Sequence, residues 1–93
     1  MTDYGRRVIQ EMNRVGMLVD CSHTGALTTL QIMATAAAPV VFSHSNPKKL
    51  RAHGRNITDE QIRACARTGG VIGINGMGLY LPQRDSTARA MID

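Results

Sequence analysis

A chain of 93 residues suffices for one small domain or one part of a larger one. Its composition is 43% hydrophobic but only 3% aromatic, without Trp, so a core must be assembled from Val, Ile, Leu, Met and Ala. The net charge of +4 is mild, and the basic residues are scattered apart from Lys48-Lys49-Leu50-Arg51 with no aromatic residues interleaved, which argues against a nucleic-acid-binding reading.

Thr2 is an N-cap, and Val8, Ile9, Met12 and Val15 recur at helical spacing until Gly16 stops the helix. Residues 17–21 form a first strand, with Cys21 on it. Residues 26–37, rich in Ala, Leu and Met, form a second helix that Pro39 bars from continuing. Residues 40–43 form a second strand. Residues 45–56 are polar and turn-rich, with Asn46-Pro47 starting a turn. Thr58-Asp59-Glu60-Gln61 fits a capping box, and the helix it opens ends at Gly69-Gly70. Residues 71–75 form a third strand. Gly76, Gly78 and Pro82 mark a loop, and residues 88–92 start another helix.

Helices alternating with strands over short connections predict parallel strands and right-handed crossovers. The strands read as continuous apolar runs, as expected when both faces are covered. The pattern suits a doubly wound sheet or a (β/α)8 barrel. A full barrel takes about 250 residues, so three βα units are an arc of one, with open edges that invite self-association or a homodimer. No stretch is long and apolar enough to span a bilayer, and no signal-peptide core opens the chain, which points to the cytoplasm. Cys21 and Cys65 are read as buried free thiols in a reducing compartment, with a ligand role for Cys21 as the lesser alternative because it should share a strand face with His23.

One phrase occurs twice. Val19-Asp20-Cys21-Ser22-His23 and Val40-Val41-Phe42-Ser43-His44 are both apolar runs ending in Ser-His. The carboxyl ends of parallel strands are where α/β proteins keep their chemistry. Two histidines there, 21 positions apart, point to a metal site. Strand spacing of roughly 5 Å lets both imidazoles reach one ion at about 2.0–2.1 Å. Asp20 alternates to the other face and is read as a hydrogen-bond acceptor supporting the site. His53 is read as exposed or supporting, and Asn75 as a residue of the pocket wall.

The runs Gly16-Met17-Leu18-Val19-Asp20-Cys21-Ser22-His23, Pro39-Val40-Val41-Phe42-Ser43-His44-Ser45-Asn46, Arg55-Asn56-Ile57-Thr58-Asp59-Glu60-Gln61 and Gly69-Gly70-Val71-Ile72-Gly73-Ile74-Asn75 resemble, in wording and order, the membrane dipeptidase family, also called renal dipeptidase or peptidase M19. The resemblance implies a partial (β/α)8 TIM-type barrel, with residues 1–93 a single piece of the barrel domain. It implies zinc-dependent hydrolysis of dipeptides at two Zn2+ ions sharing a bridging carboxylate and a bridging water or hydroxide. By the same resemblance His23 and His44 are metal ligands of the second zinc, and Arg55 binds the substrate carboxylate. Zinc acidifies a bound water, and an arginine grips a carboxylate with two parallel hydrogen bonds.

The family's His-x-Asp pair, bridging Glu, further histidine and proton-shuttling Asp have no counterpart in this sequence. The expectation is therefore one partial zinc site in an internal piece of a dipeptidase. Two alternatives stand beside it. One is an inactive truncated or split-gene piece that acts only by assembling with a partner. The other is a different metal-dependent barrel amidohydrolase.

Overall fold

The computed structural model describes residues 1–76. The order is α1 (Asp3–Arg14), β1 (Val19–Asp20), α2 (Ala26–Thr35), β2 (Val40–Val41) and α3 (Asp59–Arg67). The loop at Gly78 and Pro82 and the helix expected at 88–92 lie outside the described residues.

Each helix starts and stops where its local chemistry dictates. Thr2 caps α1 by accepting the Gly5 N–H, and Thr58 and Gln61 close a reciprocal capping box on α3. Past α1, Gly16 at φ 78° lets the Met17 N–H reach back to the Met12 carbonyl at 2.8 Å. Past α3, Gly69 at φ 80° does the same for Gly70, which donates to the Cys65 carbonyl at 3.1 Å. Both ends are Schellman motifs, which need a residue tolerant of the left-handed region.

The strands are parallel, with Val19 opposite Val40 and Asp20 opposite Val41. They are shorter than the apolar runs suggested. Met17 and Leu18 are exposed and lie outside β1. Residues 71–75 form no strand, yet they occupy the third position beside β2. Phe42 pairs in parallel with Ile72, and its N–H donates to the Val71 carbonyl at 3.0 Å. The Gly73 N–H returns a bond to the Phe42 carbonyl at 2.7 Å. The expectation of two covered faces also fails at Val71 and Ile74, both exposed.

Glycine permits the close approach at this third position. A Cβ on Gly70 would sit 1.7 Å from the Val40 carbonyl oxygen, and one on Gly73 would sit 2.3 Å from that of Ser43.

The core is Ile9, Val19, Cys21, Ile32, Met33, Val40, Phe42, Ile57, Ala64 and Cys65. Both thiols are buried and unpaired with each other, as expected. The α2–α3 contact is also polar. Buried Gln61 donates to Thr29 Oγ1 at 2.7 Å, and Thr29 donates to the Ala26 carbonyl at 2.8 Å. No helix among the described residues is long and apolar enough to cross a membrane.

Candidate metal centre

Because β1 and β2 are parallel, both chains emerge from the sheet on the same side. His23 and His44 follow within three residues of each strand's end. Their rings meet there, with centroids 4.6 Å apart and planes inclined by 54°. The two Nε2 atoms are 2.5 Å apart. Two imidazole nitrogens that face each other can pair as donor and acceptor or converge on one cation.

The aim of His23 comes from its backbone. Its φ of 65° is the only positive value among the described non-glycine residues. A left-handed residue turns the chain out of the strand, so the alternation that put Cys21 and His23 on one face is broken. Cys21 stays in the core, where burial first, then the charges of Asp20 and Cys65, push its thiol up to about 11. Cys21 therefore points into the core and does not line the cavity that the two histidines share.

Asp20 holds the two loops together. Its Oδ1 accepts the N–H groups of Ser22 (2.9 Å) and Ser43 (3.1 Å), and its Oδ2 accepts the Ser43 hydroxyl at 2.5 Å. Burial raises the Asp20 carboxyl, but the Ser43 hydroxyl and these N–H groups outweigh it and hold the pKa at about 2. Ser43 Oγ lies 2.7 Å from His44 Nδ1, and the His44 N–H donates to Ser22 Oγ at 3.1 Å. The repeated Ser-His phrase therefore carries two working serines, which the sequence reading passed over in favour of the histidines.

His23, His44, Ser45, Arg55, Asn56 and Asn75 line one small cavity of about 10 Å3, the space one water or one ion needs. Arg55 and Asn75 both border this cavity together with the two histidines. The loop carrying Arg55 folds back on itself through a parallel bridge between Pro47 and Ile57. Half-buried His53 supports it, its Nδ1 accepting the Arg55 N–H at 3.1 Å. Buried Asn46 ties the far wall, donating to the Asn75 carbonyl (2.8 Å) and accepting the Asn75 N–H (2.7 Å). The His23 imidazole is held below its usual pKa, by desolvation first and then by the charges of Arg55 and His44. The shift favours the neutral imidazole, the form that binds metals.

The pair fits a zinc ion. Nitrogens about 2.0–2.1 Å from one tetrahedral ion lie roughly 3.3 Å apart, so the observed 2.5 Å needs to widen by less than about 1 Å. The donors are imidazoles, which suit zinc. Among the described residues no group of three or more His, Cys, Asp or Glu is placed to hold a metal. A larger groove of about 370 Å3 between α2 and α3, walled by Leu30, Met33, Ala64, Glu60 and Arg67, gathers no such chemistry.

The sequence profile of the membrane dipeptidase family, peptidase family M19, matches residues 1–93. The chain belongs to this family. It is 37% identical over all 93 residues to an uncharacterized dipeptidase of Schizosaccharomyces pombe, covering 22% of that protein. Its structure is similar to that of the probable dipeptidase PvdM from Pseudomonas aeruginosa, with TM-score 0.85 and 30% identity over 88% of this chain and 20% of that one. It is similar also to a metallo peptidase from Rhodobacter sphaeroides liganded with a phosphinate mimic of the dipeptide L-Ala-D-Ala, with TM-score 0.83, 31% identity, and coverage of 87% and 23%. The chain spans about a fifth of the length of the curated relatives it matches. These relatives make it an M19 chain with α/β architecture and parallel strands, related to metallodipeptidases.

Proposed function

We propose that this M19 chain contributes one face of a zinc dipeptidase site within a (β/α)8 barrel, with residues 1–93 one piece of the barrel domain. His23 and His44 are the zinc ligands it brings, and Arg55 binds the carboxylate of a dipeptide. The observation that carries this is the convergence of the two Nε2 atoms at 2.5 Å in a cavity that Arg55 also lines. The phosphinate dipeptide mimic bound by the similar Rhodobacter sphaeroides metallo peptidase supports a dipeptide as substrate. A bound zinc supplies Lewis acidity to activate water and polarise the peptide carbonyl. The protein's own part is orientation. His23 and His44 hold the ion at the strand ends, and Arg55 fixes the substrate's carboxylate beside it through paired hydrogen bonds.

Calorimetric titration with zinc chloride tests the ligand assignment. Binding should be present in the wild-type chain and lost in both His23→Ala and His44→Ala. Undiminished binding in both variants would falsify it.

A second reading has its own support. The described residues offer two neutral ligands and no cluster of three. Met17, Leu18, Val71 and Ile74 are exposed at the margins of the sheet, as surfaces awaiting a neighbour would be. On this reading the chain alone is inactive and acts through assembly with further polypeptide. Hydrolysis of a dipeptide by the purified chain with added zinc would overturn it.

A further inference from the structure

We infer that Asp20 and Ser43 form a relay that fixes His44 in one tautomer, with the proton on Nδ1 and the lone pair of Nε2 turned toward His23. In its link to zinc this deepens the function proposed above; the proton assignment itself is independent of that reading.

The argument is a count of protons. A serine hydroxyl has one proton to give and two lone pairs to receive. Ser43 Oγ lies 2.5 Å from Asp20 Oδ2, 2.7 Å from His44 Nδ1 and 3.4 Å from Ser22 Oγ. A carboxylate has only lone pairs, so the Ser43 proton goes to Asp20. Both remaining sites on Ser43 Oγ are then acceptors. His44 Nδ1 must donate to one, and the Ser22 hydroxyl donates to the other. The reverse assignment asks Ser43 for two protons. The Ser22 oxygen in turn accepts the His44 N–H at 3.1 Å, which fixes the backbone behind the ring. Asp20 itself is fixed by two backbone N–H groups from different loops, those of Ser22 and Ser43. Every polar atom of the chain Asp20–Ser43–His44 thus has a partner, and only one placement of the ring proton satisfies them all. His23 has no equivalent relay among the described contacts; its aim is set by its backbone.

The consequence is specific. A neutral imidazole binds a metal through its unprotonated nitrogen, and the hydrogen bond on the other nitrogen decides which one that is. Ser43 and Asp20 are therefore positioning residues, acting on the ion through His44. Removing such support typically lowers metal affinity about 10–100-fold.

The test is 15N NMR of the imidazole nitrogens in the full chain after EDTA treatment at neutral pH. His44 should show a protonated Nδ1 and an unprotonated Nε2. A protonated Nε2, or an even mixture, in the wild type overturns the relay whatever the variants do. In Ser43→Ala the population should shift toward protonated Nε2, and Ser43→Thr, which keeps the hydroxyl, should restore the wild-type pattern. An unchanged spectrum in Ser43→Ala also overturns the relay. Zinc chloride is then titrated while the same resonances are followed, with affinity expected to fall about 10–100-fold in Ser43→Ala. A correct tautomer with no zinc response at Nε2 in the wild type sinks the zinc reading and leaves the relay standing.

Discussion

His23 adopts a backbone conformation that costs stability, and the cost is measurable. At φ 65° its Cβ crowds the following carbonyl, a conformation about 1–2 kcal/mol uphill for a residue with a side chain. Glycine escapes that penalty but loses about 0.4–1 kcal/mol of unfolded-state advantage relative to alanine. The difference leaves His23→Gly more stable than His23→Ala by roughly 0.5–1 kcal/mol. Both variants lose the ring contact with His44 equally, so the comparison isolates the backbone. For a chain of this size the gap corresponds to about 2–8 °C in Tm. Thermal and urea unfolding of the two EDTA-treated variants reads it directly. Gly54 provides the opposite sign, since its φ is not in the positive region and a Cβ there meets nothing within 4 Å. Gly54→Ala should stabilise by about 0.4–1 kcal/mol. If His23→Ala matches or exceeds His23→Gly in stability, the left-handed turn is not what directs the ring, and the geometric basis of the His23–His44 pair is lost.

Gly70→Ala should cost more than about 3 kcal/mol in urea unfolding, because its Cβ would fall 1.7 Å from the Val40 carbonyl oxygen and push residues 71–73 off β2 with their hydrogen bonds; a loss below about 1 kcal/mol would show that these residues do not pack there. Asp20 stabilises the fold only while ionised. Its pKa of about 2 lies below the 3.8 of a free carboxyl, so its contribution is complete above about pH 4 and disappears between there and pH 2. The ceiling is about 2 kcal/mol at 1.36 kcal/mol per unit, nearer 1 for a carboxylate that borders solvent. Asp20→Asn should therefore flatten the acid limb of a stability–pH curve; an unchanged limb removes Asp20 as its cause. On the proposed dipeptidase function, Arg55→Ala in a complete enzyme should raise KM for dipeptides about tenfold or more with little change in kcat, and Arg55→Lys should recover only part; unchanged kinetics would take Arg55 out of substrate binding.

Local chemistry was legible because it is written in neighbouring residues. The capping box at Thr58 and Gln61, the stops at Gly16 and Gly69, and the parallel order of two strands all follow from short-range pattern. So did the meeting of His23 and His44, since a strand end in a parallel sheet has one place to go. Strand length was not legible. Apolar residues at 17–18 and 71–74 mark a surface suited to burial, and whether they pair depends on a neighbour that the described residues do not supply. The face of His23 was also misread through its spacing from Cys21, because period-two alternation holds only within a strand and a single left-handed residue ends it. The role of Ser43 was hidden for another reason. A serine before a histidine is common, and its meaning comes from Asp20, 23 positions away in sequence, arriving at 2.5 Å.

The loops that carry the candidate site have few apolar side chains to fix them, and polar cross-links take that part. Asp20 joins the loop after β1 to the loop after β2. Asn46, 1% exposed, replaces a missing strand pairing by bonding both the N–H and the carbonyl of Asn75. Asn56, also buried, donates to the Arg51 carbonyl at 2.9 Å and closes the turn beside Arg55. An amide or carboxylate with several backbone partners fixes a loop in direction as well as distance, which apolar contact alone does not. Leaving buried Asn46 or Asn56 unpaired would cost about 1–3 kcal/mol, so that part of the arrangement is held against alternatives. A centre that must bring two imidazoles within one ion's reach needs that directional hold, and here the sheet supplies the approach, the left-handed backbone aims His23 and the polar links aim His44.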